Sequence, residues 1–252
     1  MKNIQIKKLE FTTGNPKICV PLTGTDEEQI LNDLECLKAI DFDLIELRID
    51  HFNYVENFER VEKLLGAVRG NCEKPVLFTF RTTREGGVHE MSEKKYFELN
   101  RLAVESGFVD LVDIELFSSE EHIKSIVSCA HENGVRVVMS SHDFHKTPPK
   151  EEIVRRLVKM QDYGADITKI AVMPNCEEDV LVLMGAALEM KKEKADRPFI
   201  TMSMSSLGAV TRLTGDLCGS CMTFASLNKA SAPGQMNVKS TREILNLLKI
   251  HP

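Results

Sequence analysis

DLVDIELFSSEEHIKSIVSCAHENGVRVVMSSHDFHKTPPKEEIVRRLVKMQDYGADITKIAVM, residues 110–173, alternates two kinds of segment. DLVDIEL, VRVVMSSH and DITKIAVM are short, apolar and rich in β-branched residues, as buried strands are. EEHIKSIVSCAHENG and EEIVRRLVKMQDYG repeat apolar residues at helical spacing. Both open on acidic residues and end in Gly, as helix dipoles and caps favour. Strands alternating with helices in this way predict a parallel sheet with crossover helices.

The same alternation continues in both directions. KICVPL near residue 20, DLIELRID after Asp43 and PVLFTFR after Pro75 read as strands before this stretch; PFITMSM after Pro198 and SCMTFAS after Ser220 follow it. EEQILNDLECLKAI, EKKYFELNRLAVES and EEDVLVLMGAALEMKK supply further amphipathic helices. Eight strands with helices between them give an α/β fold, the (β/α)8 or TIM barrel, which takes about 250 residues. The 252-residue chain has even spacing and no Pro/Gly/Ser-rich linker, so residues 1–252 read as one barrel domain. An open doubly wound sheet would carry a G-x-G-x-x-G turn after its first strand. PLTGTDEEQ there has one glycine and no such pattern. The opening IQIKKLEFTTGNP, with strand-like alternation and an Asn/Gly turn, predicts a β-hairpin closing the barrel bottom.

Charged residues make up 28% of the chain, hydrophobic ones 42%, and the formal charge is −6. No basic stripe is present to compensate nucleic-acid phosphates, so nucleic acid is not an expected partner. No apolar stretch approaches the roughly 20 residues of a membrane span. MKNIQIKKLEF lacks a signal-peptide core, so the expected location is the cytoplasm. Seven cysteines at scattered spacings point to reduced thiols.

In a barrel, chemistry gathers at the C-terminal strand ends. Glu46, Arg48 and Asp50 fall two apart there, hence on one face. Arg81, Arg84 and Glu85 follow the third strand; Asp113 and Glu115 end the fourth; His142 and Asp143 end the fifth; Arg212 and Asp216 follow the seventh. Lys169 lies inside the apolar run DITKIAVM, where an ammonium costs several kcal/mol, or roughly so, unless paired or neutral. Burial and neighbouring arginines would favour its neutral form, which is a nucleophile. A lysine nucleophile and a histidine acid/base on neighbouring strands suggest Schiff-base chemistry.

These residues carry a family resemblance. DLVDIELF (Asp110–Phe117) followed by VVMSSHDF (Val137–Phe144) resembles the signature of type I 3-dehydroquinate dehydratases. ELRID at Glu46, FTFRTTREGG at Phe78, ITKIAVMP at Ile167, ITMSMSSLGAVTR at Ile200 and ASAPGQ at Ala230 extend the resemblance over the whole chain. It implies a homodimeric (β/α)8 barrel, a hydro-lyase of the shikimate pathway that converts 3-dehydroquinate to 3-dehydroshikimate and needs neither cofactor nor metal. By motif, Lys169 would form the imine, His142 would be the general acid/base and Glu85 would orient it. Glu46, Arg48 and Arg81 resemble the family's substrate-hydroxyl and positioning contacts. Arg212, with Ser231 and Gln235, resembles its carboxylate receptor, and Met204 and Phe224 match apolar positions against the substrate ring. Two departures stand out: family members usually have Asn where Ser141 stands, and some have Ser in place of Pro21.

An imine supplies the electron sink that lets imidazole remove an α-proton near neutral pH. The loop SLNKASAPGQMN (Ser226–Asn237) is small and polar enough to act as a lid. CGSC (Cys218–Cys221) leads into an apolar strand and has no second ligand cluster, which favours core thiols over redox or zinc chemistry. His145, His122 and His131 are not expected to bind metal, and Met202 reads as core. A class I aldolase or transaldolase would share the lysine, yet no glycine-rich phosphate loop follows the last strands. A non-catalytic sensor on the same barrel would be expected to lack Lys169 or His142; both are present.

Overall fold

The computed structural model describes residues 2–227 and 231–249. A two-stranded antiparallel hairpin, β1 (Ile4–Ile6) and β2 (Leu9–Phe11), comes first. Eight parallel strands follow: β3 (Lys17–Leu22), β4 (Leu44–Arg48), β5 (Val76–Thr79), β6 (Leu111–Glu115), β7 (Arg136–Asp143), β8 (Ile167–Val172), β9 (Phe199–Ser203) and β10 (Met222–Phe224). They pair in chain order from β3 to β9, and β10 pairs β3. The ring closes between β9 and β10 on one bridge, Phe199 to Ser220. There the Cys221 N–H donates to the Phe199 carbonyl at 2.8 Å. The expected (β/α)8 barrel is the observed fold.

Helices α1 (Glu27–Leu37), α2 (Phe58–Asn71), α3 (Glu93–Glu105), α4 (Glu120–Glu132), α5 (Lys150–Asp162) and α6 (Glu177–Glu189) pack outside the strands. Two short helices, α7 (Ala209–Leu213) and α8 (Gly215–Cys218), fill the β9–β10 connection, and α9 (Val238–Leu247) follows β10. Side-chain caps fix several starts: Asp26 accepts from the Gln29 N–H at 2.9 Å and Asn57 from the Arg60 N–H at 3.1 Å. After α4 and α5 the chain turns through Gly134 (φ 72°) and Gly164 (φ 86°), a left-handed backbone that glycine adopts without steric cost. Among the described residues no helix is long and apolar enough to cross a membrane.

Strand alternation sorts the interior into layers. Cys19, Leu44, Leu77, Leu111, Val138, Ile167, Ile200 and Met222 form an apolar floor at the N-terminal ends. Ile4, Ile6 and Phe11 of the hairpin pack beneath it, so the hairpin does close the bottom. Its turn is not the expected one. The register Ile4–Phe11 and Ile6–Leu9 places the turn at Lys7–Lys8, with Lys7 at φ 51°. Gly14 and Asn15 instead redirect the chain into β3, where the Asn15 N–H donates to Asp216 at 3.3 Å. The burial of Phe11 decides this, because a shifted register would turn that ring to solvent. Two residues further along β4 to β8 the interior changes character: Glu46, Thr79, Asp113, Ser140 and Lys169 make a polar layer above the apolar floor.

Candidate active site

The third interior layer opens at the C-terminal mouth. Glu46, Arg48, Arg81, Glu85, His142, Lys169, Met204, Arg212, Phe224, Ser231 and Gln235 all line one cavity there. These are the eleven residues singled out from the sequence. Gly86, Phe144, Ala171, Met202 and Ala232 complete the wall. Met202 is buried, as expected of a core residue, and also contacts the site: its sulfur lies 3.5 Å from Arg212 Nη1.

Lys169 projects from the middle of β8, its side chain 5% exposed. The electropositive surroundings expected for it are not what lies nearest. Nζ sits 3.5 Å from Asp113 Oδ2, 3.7 Å from Glu46 Oε1 and 4.3 Å from the centroid of the Phe224 ring. Carboxylates and an aromatic face therefore surround the amine. The reason is that the nearby arginines are already engaged. Arg48 forks onto Asp50 with two bonds of 2.8 Å. Arg81 donates through Nη1 to Glu115 (3.0 Å) and Ser140 (2.9 Å), and its Nη2 lies 2.9 Å from Asp113 Oδ1.

His142 ends β7 with Nδ1 2.8 Å from Glu85 Oε2, and its backbone N–H donates to the same oxygen at 3.0 Å. One acceptor serving both groups favours the Nδ1–H tautomer, which leaves Nε2 with a free lone pair. Burial first, and then the charges of Arg81, Lys169 and Arg48, push the imidazole well below its ordinary value of 6.5. Burial and the neighbouring Glu115 push the Glu85 carboxyl well up, against Arg81. The ring is thus held neutral, as a base requires.

Arg212 closes the opposite wall. Among the described residues it has no carboxylate partner: Nη2 donates to the Pro233 carbonyl at 3.0 Å, Nη1 faces the Met202 sulfur and Nε has no hydrogen-bond partner. Burial lowers its ordinary 12.5 to about 10, so it stays charged near neutral pH. Ser231 and Gln235 lie beside it, the Ser231 N–H donating to Gln235 Oε1 at 2.9 Å. The chain carrying them folds onto the β9–α7 loop, where a Cβ on Gly234 (φ 80°) would lie 2.1 Å from the Ser205 carbonyl. Residues 228–230 of the expected lid, including Ala230, lie outside the described residues.

Other strand-end charges go elsewhere. Arg84 is exposed. Asp143 accepts from the His145 and Lys146 N–H groups, each at 3.0 Å, and so shapes the turn after β7. Ser141, next to His142 in sequence, is buried on the outer face of β7, where Arg156 donates to its hydroxyl at 3.3 Å. Pro21 pairs in register with Glu46 and does not line the cavity. Cys218 and Cys221 are buried free thiols whose burial raises both. His131 pairs with Asp166 at 2.9 Å, and His122 lies against the Phe97 ring at 4.9 Å. The residue that motif reasoning undervalued is Asp113. It was visible as an acid two positions from Glu115, but its contacts with Lys169 and Arg81 run between strands.

Comparison with known proteins agrees with this geometry. The family described as type I 3-dehydroquinase matches residues 18–252. The 3-dehydroquinate dehydratase of Syntrophotalea carbinolica is 52% identical over 249 residues, 98% of each chain. That of Clostridium novyi is 48% identical with the same coverage. Among solved structures, the type I 3-dehydroquinate dehydratase of Clostridium difficile with covalently modified comenic acid superposes with a TM-score of 0.95 at 47% identity, covering 98% of both chains. The 3-dehydroquinate dehydratase of Geobacillus kaustophilus gives 0.94 at 39% identity, covering 98% of this chain and 96% of that one. A family match over residues 18–252 and relatives about half identical over the whole chain, in a barrel of this likeness, place the chain in the type I 3-dehydroquinase family.

Proposed function

We propose that this chain removes water from 3-dehydroquinate to give 3-dehydroshikimate through an imine on Lys169. One observation carries the reading: an amine, an imidazole with a free Nε2 and a buried guanidinium without a carboxylate partner face the same cavity. An anionic ring that also bears a ketone would satisfy all three.

Arg212 would receive the substrate carboxylate in a bidentate fork, which a lysine cannot reproduce. Ser231 and Gln235 would hold its outer edge, and Met204 and Phe224 would pack on the ring. Glu46 and Arg48 would contact the ring hydroxyls. Arg81, with its donors already bound to Asp113, Glu115 and Ser140, would act mainly by fixing those groups. The neutral Lys169 amine adds to the ketone carbon, a proton passes from its nitrogen to the oxygen, and one further proton, taken from solvent through His142, lets the hydroxyl leave as water, which leaves a protonated imine. His142 Nε2 then takes the α-proton, and the electron pair moves into the imine as an enamine. The enamine expels the β-hydroxyl, which leaves as water with the proton carried by His142. One imidazole serving both transfers suits elimination from one face. Water hydrolyses the conjugated imine, releasing the enone, the free amine and the proton taken up when the imine formed. The net change is loss of one water, and the imine supplies the electron sink.

Borohydride reduction during turnover tests the mechanism. Intact-mass and peptide analysis should find a ligand-sized adduct on Lys169. An active enzyme without an adduct, alongside a working trapping control, would exclude the imine. The reading extends to one catalytic domain working in the cytoplasm as a homodimer, the state the family resemblance implies. Sedimentation equilibrium at micromolar concentration should return twice the chain mass.

A further inference from the structure

We propose that Asp113 is the positioning residue of Lys169: its Oδ2 aims the amine at the cavity and supplies the counter-charge to the iminium that forms there. The inference rests on the imine reading above.

Asp113 is fully buried and is not among the residues lining the cavity, so it lies beneath the site. Its two oxygens are used differently. Oδ1 accepts from the Ser140 hydroxyl at 2.6 Å and pairs with Arg81 Nη2 at 2.9 Å. Oδ2 has no hydrogen-bond partner and faces Lys169 Nζ at 3.5 Å. A buried carboxylate oxygen left unbonded is costly, and such atoms call for a functional explanation. Glu46, the other acid near the amine, differs on both points: it lines the cavity, and its Oε1 accepts from Thr79 at 3.0 Å. Glu46 is therefore placed for the ligand, and Asp113 Oδ2, away from the ligand, for the lysine.

The carboxylate also stays ionised. Burial alone would raise it, but Arg81, Lys169 and the Ser140 hydroxyl hold it below the ordinary carboxylate range. Its charge is thus fixed through the cycle. When the carbinolamine loses water, one positive charge appears on the nitrogen in contact with Oδ2. Without Asp113 that charge would form in a dry pocket near Arg81, and imine formation would become slow. His142 and Arg212 would be untouched, so ligand binding would persist.

The test combines rapid borohydride trapping with binding of quinate, which has a hydroxyl where the substrate has its ketone. Asp113→Asn should bind quinate with near-parental affinity, yet form the Lys169 adduct about 100-fold more slowly, with kcat falling in proportion and KM nearly constant. A purely structural role would weaken quinate binding along with trapping. Ser140→Ala, which frees Oδ1 and one of the Arg81 donors, should slow trapping about 10-fold with quinate binding kept, and it decides the matter if Asp113→Asn does not fold. Trapping at the parental rate in a folded Asp113→Asn variant, or in Ser140→Ala, overturns the assignment and leaves the imine mechanism standing. Failure of the parent protein to trap on Lys169 overturns the mechanism itself, and the role of Asp113 with it.

Discussion

Replacing Arg212 with methionine separates what the guanidinium costs the fold from what it does for the ligand. The side chain is buried without a carboxylate partner among the described residues, and burial alone lowers it from its ordinary value to about 10. That difference corresponds to about 3 kcal/mol. The sign follows from which state holds the proton more tightly. The unfolded chain does, so the penalty is in force at every pH below about 10 and is relieved only as pH rises from there toward 12.5. At neutral pH, methionine of similar length should therefore stabilise the ligand-free protein. For a chain of this size, 3 kcal/mol corresponds to a rise in Tm of about 6–12 °C. The cost appears in catalysis. A buried charge pair that loses one partner forfeits about 2–5 kcal/mol, so kcat/KM should fall roughly 30- to 4000-fold. Differential scanning fluorimetry and the ultraviolet absorbance of the enone product read the two effects on one preparation. A Tm at or below that of the parent would refute the burial cost, and a kcat/KM within tenfold of the parent would falsify the carboxylate-receptor role.

Two further outcomes are expected. Catalysis needs His142 neutral, and burial, Arg81 and Lys169 hold the ring well below 6.5. Initial rates should therefore stay level as pH falls through 6.5 and decline only at lower pH; an acid limb centred at or above 6.5 contradicts this. Ser141→Asn should leave kcat/KM within about threefold, because the side chain faces Arg156 and α5 instead of the cavity. A tenfold change would mean that the outer face of β7 governs His142.

The barrel was legible because each strand carries its own signal. DITKIAVM and VRVVMSSH are too short and too β-branched for helices, and the acid-opened segment before each becomes a helix, α4 before VRVVMSSH and α5 before DITKIAVM, with Glu120, Glu121, Glu151 and Glu152 in the first turns. Period-2 spacing likewise placed Glu46, Arg48, Asp113 and Glu115 on the inner face. Spacing does not say which charge meets which across neighbouring strands. The fork from Arg48 to Asp50, the engagement of Arg81 by Asp113 and Glu115, and the carboxylate surroundings of Lys169 all come from register and side-chain reach. The same limit explains Ser141: adjacency to His142 in sequence means the opposite face in a strand. At the hairpin, Gly14 and Asn15 looked like its turn, whereas packing of Phe11 set the register two lysines earlier.

The polar layer inside the barrel also constrains how such a protein can diverge. Asp113, Arg81, Glu115, Glu85 and Lys169 share partners, so one substitution changes the solvation and pairing of several others. Residues in one ion-pair network are strongly non-additive, with coupling of about 0.5–3 kcal/mol. A first change there leaves an uncompensated charge, and a second can restore the balance only if it falls at a contacting position. The exposed helix faces carry no such requirement. Neutral drift should thus run freely over those faces, while the barrel interior changes only in compensated pairs.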